Sequence, residues 1–130
     1  MKKIFYPAVF TKEDNGYWVK FPDLPGCFTE GDSISEAYEM AQEAMGLWLE
    51  TENRTFNYPE ASDITGIRTA ENEQIVLVEF DPIEYLKHTS SKSVKKTLTI
   101  PEWLNTLAEE QNVNFSQVLQ NALKENLHVS

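Results

Sequence analysis

The stretch that most limits what this chain can fold into is Val94 to Leu127, which reads as one strand and two helices with no means of burying their own apolar faces. In Val94-Lys95-Lys96-Thr97-Leu98-Thr99-Ile100, the side chains of Val94, Leu98 and Ile100 point one way, while Lys95, Thr97 and Thr99 point the other. No second strand follows. The simplest partner is the same strand of another copy, giving a two-stranded antiparallel ribbon whose polar outer face fits a DNA major groove. Pro101 reads as a residue just inside the first helix, where its missing N–H does no harm. Leu104, Leu107 and Ala108 then recur at helical spacing. The second helix opens on Asn114, with Gln117 as a reciprocal capping partner, and Val118, Leu119, Ala122 and Leu123 form its stripe. Two helices of about twelve residues cannot close a core alone, so an intertwined homodimer is expected. Its core would be Leu98, Ile100, Leu104, Leu107, Val118, Leu119 and Leu123. The plainer alternative is a helical hairpin that only dimerises the protein.

Strand, proline, helix, turn and helix at this spacing resemble the ribbon-helix-helix family of bacterial repressors, over roughly residues 93–127. The resemblance implies that the outward strand residues Lys95, Thr97 and Thr99 read bases. It also implies that the amides of Phe115 and Ser116, capped by Asn114, hold a phosphate, as the helix dipole favours.

The formal charge of −10 is at odds with DNA binding until it is divided. Residues 1–87 hold seven Lys/Arg and seventeen Asp/Glu, whereas residues 88–130 hold four of each. Lys92, Lys95 and Lys96 cluster on and before the strand, so the field there is positive. The acidic part serves solubility or faces a basic partner. With 130 residues, the chain has room for one ordinary domain or two small ones, and 41% hydrophobic residues suffice for a packed core. No apolar run approaches a membrane span, the amino terminus breaks too early for a signal peptide, and Cys27 stands alone. A cytoplasmic protein with no membrane association and no internal disulfide is expected.

Leu86 to Ser93 is polar and small after Leu86 and reads as a linker, with boundaries at 88–93. Before it, Ile4–Phe10 and Tyr17–Phe21 read as a hairpin around Glu13-Asp14-Asn15-Gly16. Pro22 to Gly26 form a rigid turn, and Phe28-Thr29 start a third strand. A helix follows, capped by Ser33 with Glu36, its stripe made of Ile34, Ala37, Ala41, Ala44, Met45 and Trp48. Asn53 to Glu73 reads as a long connection, and Ile75–Phe80 as a last, nearly continuous apolar strand in the middle of the sheet. The fold class is α+β: β-β-β-α-β over residues 1–87, then β-α-α over 94–130.

Tyr6-Pro7-Ala8-Val9-Phe10, Gly16-Tyr17-Trp18-Val19-Lys20-Phe21-Pro22-Asp23-Leu24-Pro25-Gly26-Cys27 and Thr29-Glu30-Gly31-Asp32-Ser33, leading into Glu36-Ala37, look like the HicB-type antitoxins. The resemblance implies a partial ribonuclease-H-like first domain that has lost catalysis. It implies a partner toxin, HicA, a small basic ribonuclease with a catalytic histidine, whose site the antitoxin covers in a hetero-oligomer. It further implies repression of the antitoxin's own operon through operator DNA.

The first strand offers no acid of its own, and Glu36, Glu39, Glu43, Glu79 and Asp81 read as solvated faces rather than a metal site. Cys27, His88 and His128 show no catalytic or metal-ligand spacing. No enzyme activity, cofactor or metal is expected. Asp23, Glu30 and Asp32 lie on loops, where toxin contact and plain solvation compete. Trp18 alternates away from Tyr17 and Val19, so it is either covered by another element or part of a protein interface. A competing reading of another class is a ribbon-helix-helix regulator whose acidic domain senses a small ligand. It calls for a ligand pocket and no toxic neighbour gene.

Overall fold

The first strand, β1 (Ile4–Glu13), is buried without a break from Tyr6 to Phe10. In the computed structural model, which describes residues 2–130, β1 pairs antiparallel with β2 (Gly16–Lys20) across a tight turn. On its other side it pairs antiparallel with β4 (Glu73–Phe80). β2 carries β3 (Phe28–Gly31) at its free edge, giving the order β3-β2-β1-β4. The strand expected in the middle of the sheet therefore lies at an edge. Its apolar run is continuous because it serves two faces: Val78 and Phe80 enter the core, whereas Leu77 lies opposite Pro7 and is half exposed.

Helix α1 (Ile34–Leu49) starts at Ser33, whose Oγ accepts the Glu36 N–H at 3.2 Å. Ala37, Ala41, Met45 and Leu49 are buried in one core with Tyr6, Ala8, Phe10, Val19, Phe21, Val78 and Phe80. Ile34 and Trp48, expected in the stripe, are exposed, and Leu49 takes the inward place. Trp48 turns instead to the Pro22–Cys27 loop, where its indole N–H donates to the Pro25 carbonyl at 2.9 Å. That loop is structural: Leu24 and Cys27 are buried, the Cys27 N–H donates to the Leu24 carbonyl at 2.9 Å, and Gly26 takes a φ of +83°.

The connection from α1 to β4 holds only a single 3-10 turn, Ile64–Gly66, capped by Asp63. It is tied down at its start by Arg54, which donates to Glu50 at 2.9 Å and to the Thr89 hydroxyl at 2.6 Å. Farther along, the Tyr6 hydroxyl donates to the Pro59 carbonyl.

Helix α2 (Pro82–Thr89) was not expected, and it takes His88 and Thr89 out of the segment read as linker. Asp81 caps it, accepting from the N–H groups of Ile83 and Glu84, and Pro82 occupies its first turn. Tyr85 packs at 5.8 Å from the ring of Phe56 and 5.5 Å from that of Phe80. Gly46 makes the room: a Cβ there would stand 2.3 Å from the Tyr85 ring.

The chain divides into a first unit ending at Lys92 and a second, Ser93–Ser130. In the second, α3 (Glu102–Glu110) follows Pro101, which is the cap residue rather than the first helical one. The helix ends on left-handed Asn112 (φ 52°), and the Val113 N–H returns to the Ala108 carbonyl at 3.0 Å. α4 (Phe115–Leu127) is capped by Asn114, which accepts the Gln117 N–H at 3.0 Å. The Gln117 side chain does not reach back as expected; it donates to Asn121 at 2.9 Å. Residues 94–100 form no strand in the single chain, which offers them no ladder partner.

Candidate functional site

The core lies on one face of the sheet. The opposite face is set by register: Phe28, Lys20, Val9 and Ile75 form one row, with Glu30 and Trp18 beside it, and Pro7 with Leu77 and Phe5 with Glu79 beyond. Pro7 and Val9 are buried among these neighbours. The larger side chains around them are not: Phe28 is 60% exposed and Trp18 47%, and their rings lie 6.3 Å apart. Phe5 and Leu77 are exposed to a similar degree. Four large apolar side chains thus stay accessible around a buried floor on this face.

At the β1–β2 turn the face meets an open cleft of about 770 Å³, lined by Glu13, Asp14, Trp18, Glu30, Asp32 and Glu36. None of these carboxylates is paired with a cation among the described residues. The Lys12 ammonium, on the first strand of this hairpin, sits 4.9 Å above the Tyr17 ring. Such a cleft offers a strongly negative potential beside an aromatic platform, an arrangement that attracts basic side chains.

Of the four residues the sequence singled out for a protein partner, the structure brings Trp18, Glu30 and Asp32 to this one place. Asp23 is elsewhere and engaged: it accepts the Ser62 N–H at 2.9 Å and the Ser62 hydroxyl, pinning the long connection to the Pro22–Cys27 loop. Glu13, Asp14 and Glu36 were missed because they read as a hairpin turn and a helix first turn. Phe28 was missed because its pairing with Lys20, which fixes its face, is a non-local property. Burial pushes the Cys27 thiol up to about 11, so it stays protonated. Among the described residues no three His, Cys, Asp or Glu side chains are grouped to hold a metal ion. No helix among them is long and apolar enough to cross a membrane.

In the second unit Lys95, Thr97 and Thr99 are all exposed. So are the apolar residues that alternate with them, Val94 reaching 85%, and Leu104, Leu107, Val118 and Leu123 on the helices. Leu119 is half-buried. The single chain thus leaves one apolar face of α3 and α4 open. The N-terminus of α4 presents the amides of Phe115 and Ser116 beside the Asn114 cap, donors with no partner within a helix.

The profile of the family described as "HicB_like antitoxin of bacterial toxin-antitoxin system" matches residues 6–124, a span that includes most of both units. An uncharacterized 14.9 kDa protein of Haemophilus phage HP1 is 30% identical over 114 residues, covering 78% of this chain and 76% of the phage protein. Among solved structures, a chain from a toxin–antitoxin complex of Streptococcus pneumoniae is similar at 32% identity and a TM-score of 0.59, over 96% of this chain and 99% of that one. The crystal structure of antitoxin HicB3 is similar at 27% identity and a TM-score of 0.53, over 98% of this chain and 99% of that one. The chain belongs to the HicB-like antitoxin family of bacterial toxin–antitoxin systems.

Proposed function

We propose that this antitoxin binds and blocks a small basic ribonuclease of the HicA kind through its first unit, and represses its own operon through a dimeric second unit. The observation that carries the reading is the unpaired acidic cleft beside the exposed Trp18 and Phe28. A ribonuclease must attract phosphates, so its surface around the site is cationic, and the same charges are drawn to this cleft. Neutralisation is then exclusion of RNA by a bound protein, with no chemistry on either side. Trp18, Glu30 and Asp32 contact the toxin, while Asp23 contributes by holding its loop in place.

Residues 88–93 act as the joint between the two functions in this reading, although its first two residues are helical. Two copies of Val94 to Ile100 pair as an antiparallel ribbon, and Leu98, Ile100, Leu104, Leu107, Val118, Leu119 and Leu123 close a shared core. Lys95, Thr97 and Thr99 then face base edges, and the Asn114–Phe115–Ser116 end of α4 holds a backbone phosphate. The finer fold assignment, a partial ribonuclease-H-like unit followed by a ribbon-helix-helix, is part of the same proposal.

Expression of the adjoining reading frame's product alone and together with this chain tests the reading. The expected result is growth arrest and RNA cleavage relieved by co-expression, with the chain also shifting DNA from upstream of its own gene. A harmless neighbour, or arrest that the chain does not relieve, contradicts it.

A further inference from the structure

Position 16, at the β1–β2 turn, must be glycine for reasons of fold. Its φ is +143°, and a Cβ there would stand 2.4 Å from the Gly31 carbonyl oxygen at the end of β3. The residue before it carries no such obligation. Asparagine in a tight hairpin turn is ordinarily favoured by a left-handed φ, yet neither Asp14 nor Asn15 has a positive φ. Among the described residues no hydrogen bond holds the Asn15 side chain, which is exposed. The fold thus requires the glycine and leaves the asparagine beside it unshielded. Asn15 is also the only asparagine of the sequence that glycine follows.

That dipeptide has a chemistry of its own. The Gly16 amide nitrogen, with no Cβ to hinder it, attacks Cγ of Asn15. A bond forms from nitrogen to Cγ as the amide proton passes to solvent base. The Cγ–Nδ2 bond breaks, and ammonia leaves with a proton from water. The cyclic imide that results then takes up one water. Opening at Cγ gives aspartate; opening at the main-chain carbonyl gives isoaspartate, with the backbone routed through Cβ. Water is the only co-reactant, and no electron is transferred. Ring closure needs rotation about the Asn15 ψ, which local opening of an exposed turn supplies.

We infer that Asn15 is a site of spontaneous covalent modification, converting in the folded chain to aspartate and isoaspartate through attack by the Gly16 amide. Both products place a further carboxylate beside Glu13 and Asp14, in the cleft that Asn15 and Gly16 help to line. Isoaspartate also adds a backbone atom where spacing is fixed, since Glu13 stands opposite Gly16 and Tyr17 opposite Gly31. The aged chain therefore carries more negative charge and a turn that no longer fits its register. Neither a toxin nor an operator enters this chemistry.

The test incubates the full chain at pH 8 and at pH 6 and follows it by isoelectric focusing and peptide mass mapping. Isoaspartate is read by methyl transfer from an isoaspartyl methyltransferase. The expected result is a species with one more negative charge, mapped to Asn15 and containing isoaspartate. It should form faster at the higher pH, because the attacking nitrogen must lose its proton. Asn15→Gln, whose longer side chain closes its ring far more slowly, should lose this species while folding as the parent does. An Asn15 that stays an amide in the folded chain, yet converts in denaturant, overturns the inference, since the fold then protects the site. An equal charge shift in Asn15→Gln, or conversion mapped to another asparagine instead, overturns it as well.

Discussion

Single residues carry three separable roles. Gly46 is structural: with Tyr85 seated where a side chain would be, Gly46→Ala forces the aromatic cluster of Phe56, Phe80 and Tyr85 to move. Overpacking of this kind costs about 1–3 kcal/mol, and chemical denaturation of the variant should show it without loss of partner affinity beyond that of folding. Cys27 is a packing residue whose thiol is raised from 9.0 to about 11. The unfolded chain therefore releases this proton first, so the contribution is full below pH about 9 and is lost as pH rises towards 11. The expected result is that Cys27 resists alkylation at pH 8 until denaturant is added; rapid labelling of the native protein would contradict its burial. Lys95 and Thr97 are the surface case. In the proposed ribbon each base contact would contribute about 1–3 kcal/mol, so Lys95→Ala with Thr97→Ala should abolish specific operator binding in a gel shift while the proposed dimer stays folded.

At the scale of elements, what was legible in the sequence was local. The hairpin followed from its turn residues, α1 from Ser33 and its helical spacing, and α4 from Asn114, because caps and turns are decided within a few residues. Helix α2 also carried its signal, Asp81 followed by Pro82, but the polar run after Leu86 masked it. The place of β4 was not legible, since an edge strand with apolar residues on both faces has the same sequence pattern as a central one. The cleft was only half legible: Glu13, Asp14, Glu30 and Asp32 meet through the β1–β2 and β2–β3 registers together, which no single segment encodes. For α3 and α4, Leu104, Leu107, Val118 and Leu123 are exposed in the single chain, and in the proposed dimer folding and pairing are inseparable. Leu119→Ala should cost roughly 2–5 kcal/mol, the range for a core leucine, and the midpoint of unfolding should depend on protein concentration. A stable, folded monomer of residues 90–130 in sedimentation would contradict the shared core.

Over the whole molecule the charge is divided as the functions are proposed to be. The entire excess of ten negative charges lies in residues 1–87, and residues 88–130 are balanced. Because α2 runs to Thr89 and Tyr85 packs into the core cluster, a cut at 87 would fray that helix, and residues 1–92 are the better fragment. Loss of dimerisation removes avidity, so the fragment should act at higher concentration than the full chain. Its attraction to a basic partner should weaken with salt, since surface charges are screened over about 10 Å at 0.1 M. The most direct measurement is an RNA cleavage assay of the neighbouring gene's product, titrated with residues 1–92 at low and high salt. Cleavage should stop as the complex forms, more weakly at high salt, with no operator shift by the fragment. Unhindered cleavage within a formed complex, or inhibition that resides only in residues 93–130, would contradict a first unit that excludes RNA.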